Sequence, residues 1–325
     1  DVYFSVRRFK DYGKLSGRSI EDLQSVSRVD NEPHKKDPFD FALWKRSKPK
    51  EPAWDSPWGK GRPGWHIECS VMSAKYLGPE IDIHGGGQDL IFPHHENEIA
   101  QSEGYTDKNF VKYWLHNGFI NINKEKMSKS LGNITSIDDV LDKYPSMGVR
   151  LFILSQHYRS PIDFSFDLVE QSVKSYERIK QSLADINFYL ESGKIKCAED
   201  DKEIADKLFY ELDDFYNSMD DDFNTAKAAA NLNNAISLVN AGMKKLSKNT
   251  LDIVLQKLIE RFGVIGIVFD FRASELDEEA GKLIEQRQTA RKNKNWAESD
   301  RIRNLLSEKG IILEDTPHGV RWKKK

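Results

Sequence analysis

Cysteine is nearly absent: Cys69 and Cys197 are the two in 325 residues, too few and too far apart for a disulfide framework. Long apolar runs are missing as well. No stretch approaches the roughly 18 residues a membrane helix requires, and the N-terminus lacks a charged region followed by an apolar core. A large charge excess is also missing, because 49 Lys and Arg face 52 Asp and Glu for a net of -3, which argues against a generic DNA-coating protein. Together these absences predict a soluble protein in a reducing, cytoplasmic setting. With 38% hydrophobic residues, a chain of this length can bury two or three cores.

The small net charge hides an asymmetry. Gly281 to Lys325 holds 12 Lys and Arg against 6 Asp and Glu, a net of +6, which leaves -9 for the rest. Trp296, His318 and Trp322 lie among these cations. Interleaved cations and aromatics suit stacking on single-stranded bases, although a solvated helix with a frayed "KKK" end would read the same way.

Patterning changes along the chain. Residues 1–60 are loop-rich, with "DVYFSV" alternating like a strand and "KRSKPKEPAWDSPWGKGRPG" marked as a surface segment by its Pro, Gly, Trp and Lys content. From Trp65 to Asn123, short apolar runs such as "IDIHGGG" and "NGFINI" alternate with helix-like stretches, the pattern of βα units on a parallel sheet. After Tyr158 the pattern becomes helical. Val169, Val173, Tyr176, Ile179, Leu183, Ile186 and Leu190 form one apolar stripe, and Ile204, Leu208, Leu212, Phe215 and Met219 form another. A third helix starts near "FNTAKAAANLNN", capped by Asn224 or Thr225, where Asp220, Asp221 and Asp222 suit the helix dipole better than a metal site. Past Glu275 comes a smaller unit, with a helix pair, a stop at Gly310 and a short strand "IILED". The expected fold class is α/β plus all-α.

Three strings carry chemistry. In "FPHHENEIAQ", Pro93 suits the first helical position, so His94 and Glu98 share a face while His95 turns away. With Cys69 of "GWHIECS" they make a thiolate, imidazole and carboxylate set that favours zinc, though a helix with a polar face beside a buried cysteine fits equally. "DIHGGGQDL" follows a strand with Gly85, Gly86 and Gly87, which allow close backbone approach of a ligand, and Asp89, which can accept from ribose hydroxyls. "KEKMSKSLGN" places Lys126 and Lys129 in a Ser/Gly loop before a capped start at Ser136 to Asp139, either for phosphate chemistry or as a solvated lysine loop.

"KMSKS", with "GRPGWHIECS", "DIHGGGQDLIFPHHENEIAQSEG", "HYRSPIDFS", "MDDDFNTA" and "ARKNKNWAESDRIRNLLSEKGIILEDTPHGVRW", resembles the cysteinyl-tRNA synthetase family of class I synthetases, in order along essentially the whole chain. The resemblance implies the second half of a Rossmann-type catalytic domain, a helical bundle and a small anticodon-binding unit. Its boundaries would be 1–60 for the end of a connective insertion, 61–123 for the catalytic half, 124–165 for the "KMSKS" loop and stem-contact region with Arg159, 166–272 for the bundle and 273–325 for the anticodon unit.

It further implies L-cysteine, ATP with Mg2+ and tRNA(Cys) as substrates, and a monomer. Zn2+ would be held by Cys69, His94 and Glu98, with a cysteine upstream of residue 1 as fourth ligand. Trp65 and His84 would line the cysteine pocket, Gly85, Gly86, Gly87 and Asp89 the adenosine, and Lys126 and Lys129 the ATP phosphates. Arg291, Trp296, Asp300 and Asp315 would read the anticodon. The family's "HIGH" string does not occur here, so these residues alone are expected not to form cysteinyl-adenylate. Rival readings are a cysteine:amino-sugar ligase of the same catalytic fold and a non-catalytic tRNA-binding fragment; the basic, Trp-bearing end argues against the first.

Overall fold

A computed structural model describes residues 1–20, 35–122, 125–127, 135–197, 199–270, 278–316 and 319–324. They fall into two compact units, residues 1–127 with 158–163, and residues 128–157 with 164–325.

The first unit opens with a three-stranded antiparallel sheet in which β2 (Phe41–Arg46) lies between β1 (Val2–Phe4) and β3 (Gly61–Pro63). β2 carries no turn-bounded alternation strong enough to stand out in the sequence. Its pairing to a strand 37 residues or more away supplies what local propensity does not, beginning at the Phe4–Phe41 pairing. Helix α1 (Trp65–Leu77) leads to β4 (Ile81–Gly87), and α2 (Glu96–Thr106) leads to β5 (Val111–Asn117). β4 and β5 pair in parallel from Ile81–Val111 to Gly87–Asn117, with α2 as the crossover, which is the expected βαβ unit. A second small sheet holds β6 (Ile120–Ile122), β7 (Glu125–Lys126) and β8 (Ile162–Phe164), with β6 central. Ile81, Ile99, Phe110 and Val111 form the core under α2, and Val6, Tyr12, Phe41 and Ala100 form a second.

The second unit begins with α3 (Ile137–Leu141) and α4 (Ser146–Leu154) and continues into four long helices: α5 (Phe166–Glu191), α6 (Lys202–Asp220), α7 (Thr225–Gly242) and α8 (Lys248–Val264). Each long helix starts at a side chain that accepts from its first turn: Ser165 from Leu168 N, Asp201 from Ile204 N, Asn224 from Lys227 N and Ser247 from Thr250 N. The expected stripes face inward. Val169, Tyr176, Ile179, Leu183, Ile186 and Leu190 of α5 are buried, as are Leu208, Leu212 and Phe215 of α6. Then α9 (Glu278–Lys292) and α10 (Trp296–Glu308) pack with a hairpin of β9 (Ile311–Thr316) and β10 (Gly319–Lys324) around Ala280, Ile302, Leu306, Ile311 and Leu313. Gly310, at φ 76, makes the left-handed turn from α10 into β9. The basic end is therefore not a frayed tail through Lys324, because a register from Gly319–Thr316 to Lys324–Ile311 pairs it with β9.

Candidate functional site

Glu98 is the centre of the site. It is fully buried on the first turn of α2, and neither carboxylate oxygen receives a hydrogen bond. His94 Nε2 lies 2.7 Å from Oε1 and His84 Nε2 lies 3.7 Å from Oε2, but neither approach makes a hydrogen bond. Cys69 projects one turn into α1, and its Sγ with one atom each of His94 and Glu98 lies within a 4.8 Å span; a second set, His84, His95 and Glu98, meets the same limit. A buried carboxylate without donors, next to a thiol and an imidazole, fits a soft divalent cation, because ligation replaces the missing hydrogen bonds.

The expectation that His95 turns away is corrected here. The chain kinks at Phe92, at φ -136 and ψ 131, and His95, on a face other than that of His94, meets His84 of β4 and His116 of β5 rather than solvent. His94 and Glu98 still meet at i,i+4 spacing, while His95 is also buried, with its ring 4.8 Å from that of His84. The polar-face alternative also falls, since His94 through Ser102 are all buried.

Two further histidines contact the rings of His94 and His95. His66 Nδ1 lies 2.8 Å from His94 Nδ1, and His116 Nε2 lies 2.8 Å from His95 Nδ1, which leaves Nε2 of His94 directed at Glu98. Sequence reading passed over both. His66 sits next to the Trp65 that was singled out, but nothing local marks a residue on α1 as a support for one on another element. α2 itself is clamped: Glu96 accepts from Gly13 N and Ser16 N at 2.9 Å each, and Tyr12 donates to Asn97 Oδ1 at 2.6 Å.

Burial governs the protonation of the cluster. It raises the Glu98 carboxyl to about 8, and raises the Cys69 thiol with help from Glu98 and Glu68. It lowers His66 to about 4 with His94 adding, and His95 to about 3 with His84, His116 and His94 adding. His94 and His84 are lowered by the same cause. Neutral imidazoles are the form that ligates, and a divalent cation would favour the ionised thiol and carboxyl.

The other singled-out residues are distributed as follows. Trp65, the first residue of α1, has its ring 4.4 Å from that of His94 and remains 59% exposed. His84 lies between Trp114 and His95, at 4.8 Å from each. Gly85, Gly86 and Gly87 end β4, and Asp89 lies exposed in the next turn. A Cβ on Gly86 would come within 2.8 Å of His95 Cε1, so its lack of side chain first serves the histidine packing. Lys126 lies in β7, and Lys129 and the side chain of Lys126 lie outside the described residues. The capped start after them is present, with Ser136 and Asp139 forming a reciprocal capping box. Arg159 is exposed, with its guanidinium 5.3 Å from the Tyr158 ring centroid.

In the second unit, Arg291 lies 5.9 Å from the exposed Trp296 ring, and Asp300 is exposed on α10. Asp315 bonds Arg287 through both oxygens, at 2.8 and 2.7 Å, and Arg291 at 2.6 Å. Arg287 is 1% exposed and was missed in the sequence, although its i,i+4 spacing to Arg291 was a legible signal.

The fold and site define a class I aminoacyl-tRNA synthetase. Residues 1–174 match the family "tRNA synthetases class I (C) catalytic domain", 214–270 the "DALR domain" and 273–322 the "Cysteinyl-tRNA ligase anticodon binding domain". The "Cysteine--tRNA ligase" of Geobacillus sp. (strain WCH70) is 50% identical over 328 residues, covering 100% of this chain and 70% of that protein. The chain belongs to the cysteinyl-tRNA synthetase family. Among solved structures, the ternary complex of Agrobacterium radiobacter K84 agnB2 LeuRS with tRNA and LeuAMS superposes with a TM-score of 0.53 at 18% identity, over 65% of this chain and 31% of that one. The chain thus spans under a third of that structure, which bears on the fold alone.

Proposed function

We propose that the protein activates L-cysteine with ATP and transfers it to the 3′ end of tRNA(Cys). The cysteine carboxylate attacks the α-phosphorus of ATP, giving cysteinyl-adenylate and releasing pyrophosphate with Mg2+. A ribose hydroxyl of the terminal adenosine then attacks the activated carbonyl, and AMP leaves. One observation carries this reading: fully buried Glu98, with both oxygens unbonded, converges with Cys69 and His94.

Cys69, His94 and Glu98 would hold Zn2+. When bound, the ion supplies a soft partner for the substrate thiolate that a serine hydroxyl does not match. His66 holds the imidazole of His94 in register, and the Glu96 and Tyr12 clamps fix α2 beneath it. Trp65 and His84 wall the amino acid, and Gly85, Gly86, Gly87 and Asp89 meet the adenosine. Lys126 and Lys129 neutralise charge on the phosphates, and Arg159 contacts the acceptor stem. Arg291, Trp296, Asp300 and Asp315 read the anticodon by hydrogen bonds and stacking. The anticodon-domain match over 273–322 supports tRNA over an amino sugar as acceptor. In this reading the protein works as a monomer in the cytoplasm; separately, none of the helices among the described residues is long and apolar enough to cross a membrane.

In the intact protein, Glu98→Gln is expected to lower zinc content, measured by mass spectrometry, and to reduce discrimination between cysteine and serine in pyrophosphate exchange. Unchanged zinc and unchanged cysteine KM would remove Glu98 from the site.

A further inference from the structure

The start of α1 has no cap of its own. Its N-cap position is Gly64, which offers no side chain to the free amides of the first turn. Glycine is required there, because a Cβ would overlap Ala42 O of β2, and Gly64 N donates to Leu43 O of the same strand at 2.9 Å. The close approach of β2 therefore excludes the serine, threonine or aspartate that commonly starts a helix. The site depends on this start, since Trp65, His66 and Cys69 all lie within the first two turns of α1.

Gln101 of α2 supplies the missing partner. It is 5% exposed, and the amide orientation that satisfies all its neighbours accepts from Ile67 N at 3.2 Å and donates to Ser70 Oγ at 2.6 Å and His66 O at 3.1 Å. Ile67 N is among the first-turn amides that an α-helix leaves without an internal acceptor. Ser70 is buried too, and its Oγ lies 3.3 Å from His66 O, to which it donates in turn. Because Ser70 directly follows Cys69, its bond to Gln101 fixes the rotation of α1 where the thiol leaves it. On α2, Gln101 follows Glu98 at i,i+3 spacing, so the helix that carries one ligand also holds the helix that carries another.

We propose that Gln101 is a positioning residue for the metal site: it caps α1 from a separate helix and, with Ser70, sets the height and rotation at which Cys69 meets His94 and Glu98. This rests on the reading of those three residues as zinc ligands. Their ligand atoms lie within 4.8 Å of one another and come from α1, α2 and the turn ahead of α2. A slip of about 1 Å between the two helices is enough to spoil such a set. The amide of Gln101 opposes that slip along the axis of α1 through Ile67 N and about it through Ser70 Oγ.

The test uses the intact protein loaded with zinc, and Gln101→Leu, which keeps much of the volume and removes both donor and acceptor. Release of zinc to a chelator is expected to accelerate roughly tenfold or more, and with Co2+ in place of zinc the visible band of the thiolate-bound ion should change in position or intensity. In pyrophosphate exchange the KM for cysteine should rise roughly tenfold while the KM for ATP stays within about twofold of wild type. A lower Tm with an unchanged cobalt spectrum, unchanged zinc release and an unchanged ratio of the two KM values would mark a purely structural residue and overturn the proposal. If Gln101→Leu does not fold, Ser70→Ala decides, because it removes the side-chain bond and leaves the cap on Ile67 N. Zinc release should then accelerate about threefold, the value of one hydrogen bond, and an unchanged rate would overturn the proposal. A wild type that holds zinc but shows no cysteine-dependent exchange would instead overturn the ligase reading, with Gln101 still judged by the chelator and cobalt results.

Discussion

At the scale of the residue, the two units use a carboxylate differently. Glu98 has no donor and so fits a cation, whereas Asp315 is saturated by Arg287 and Arg291. The hydrogen bonds and charge of Arg287, with Arg291 and Arg303 adding, hold the Asp315 carboxyl below its ordinary value, against the opposing effect of burial. A depressed folded-state value contributes stability above the ordinary 3.8, lost as pH falls through the lower folded value. Asp315→Asn should therefore remove that acid-sensitive part of the melt. It should also cost roughly 1–2 kcal/mol at neutral pH, after allowance for the water around a carboxylate more than a third exposed. A urea midpoint unchanged between pH 3 and 7 in both proteins would refute this. Arg287 was legible only as one of two arginines at helical spacing; that it is the buried one, bonded to both oxygens of Asp315 on β9, was not. Trp296→Ala should weaken tRNA binding and leave pyrophosphate exchange unchanged, which separates base stacking from the chemistry.

At the scale of the element, the helices were the easiest to read. Their stripes and caps are local, and the structure keeps them: Leu183 is fully buried where the α5 stripe predicts, and Asn224 accepts from Lys227 N. Leu183→Ala should destabilise the second unit by about 3 kcal/mol, and Asn224→Ala by about 1 kcal/mol, both seen as shifts in urea midpoint without a change of slope. His95 was misread because its partners, His84 and His116, come from β4 and β5, which spacing along α2 does not report. β2 was missed because its partner β1 lies 37 residues or more away, at a distance that local alternation does not report, and β10 because its run of cations reads as a solvated end although it pairs with adjacent β9.

At the scale of the whole molecule, two units with separate cores should respond separately to metal. Chelation is expected to lower the calorimetric transition that Glu98→Gln also lowers, and to leave the transition shifted by Leu183→Ala in place; a common shift of both would show that the metal couples them. By itself, the sequence determined the chain's composition class, the helical stripes and their caps, and the His94–Glu98 pair, because these depend on residue chemistry and on spacing along one local segment. Tertiary structure alone decided that His95 joins the cluster, that His66 and His116 support the two rings, that Glu98 lacks donors and that Arg287 is buried on Asp315. Each of these is a meeting of side chains from separate elements, and no spacing along a single helix or strand encodes it.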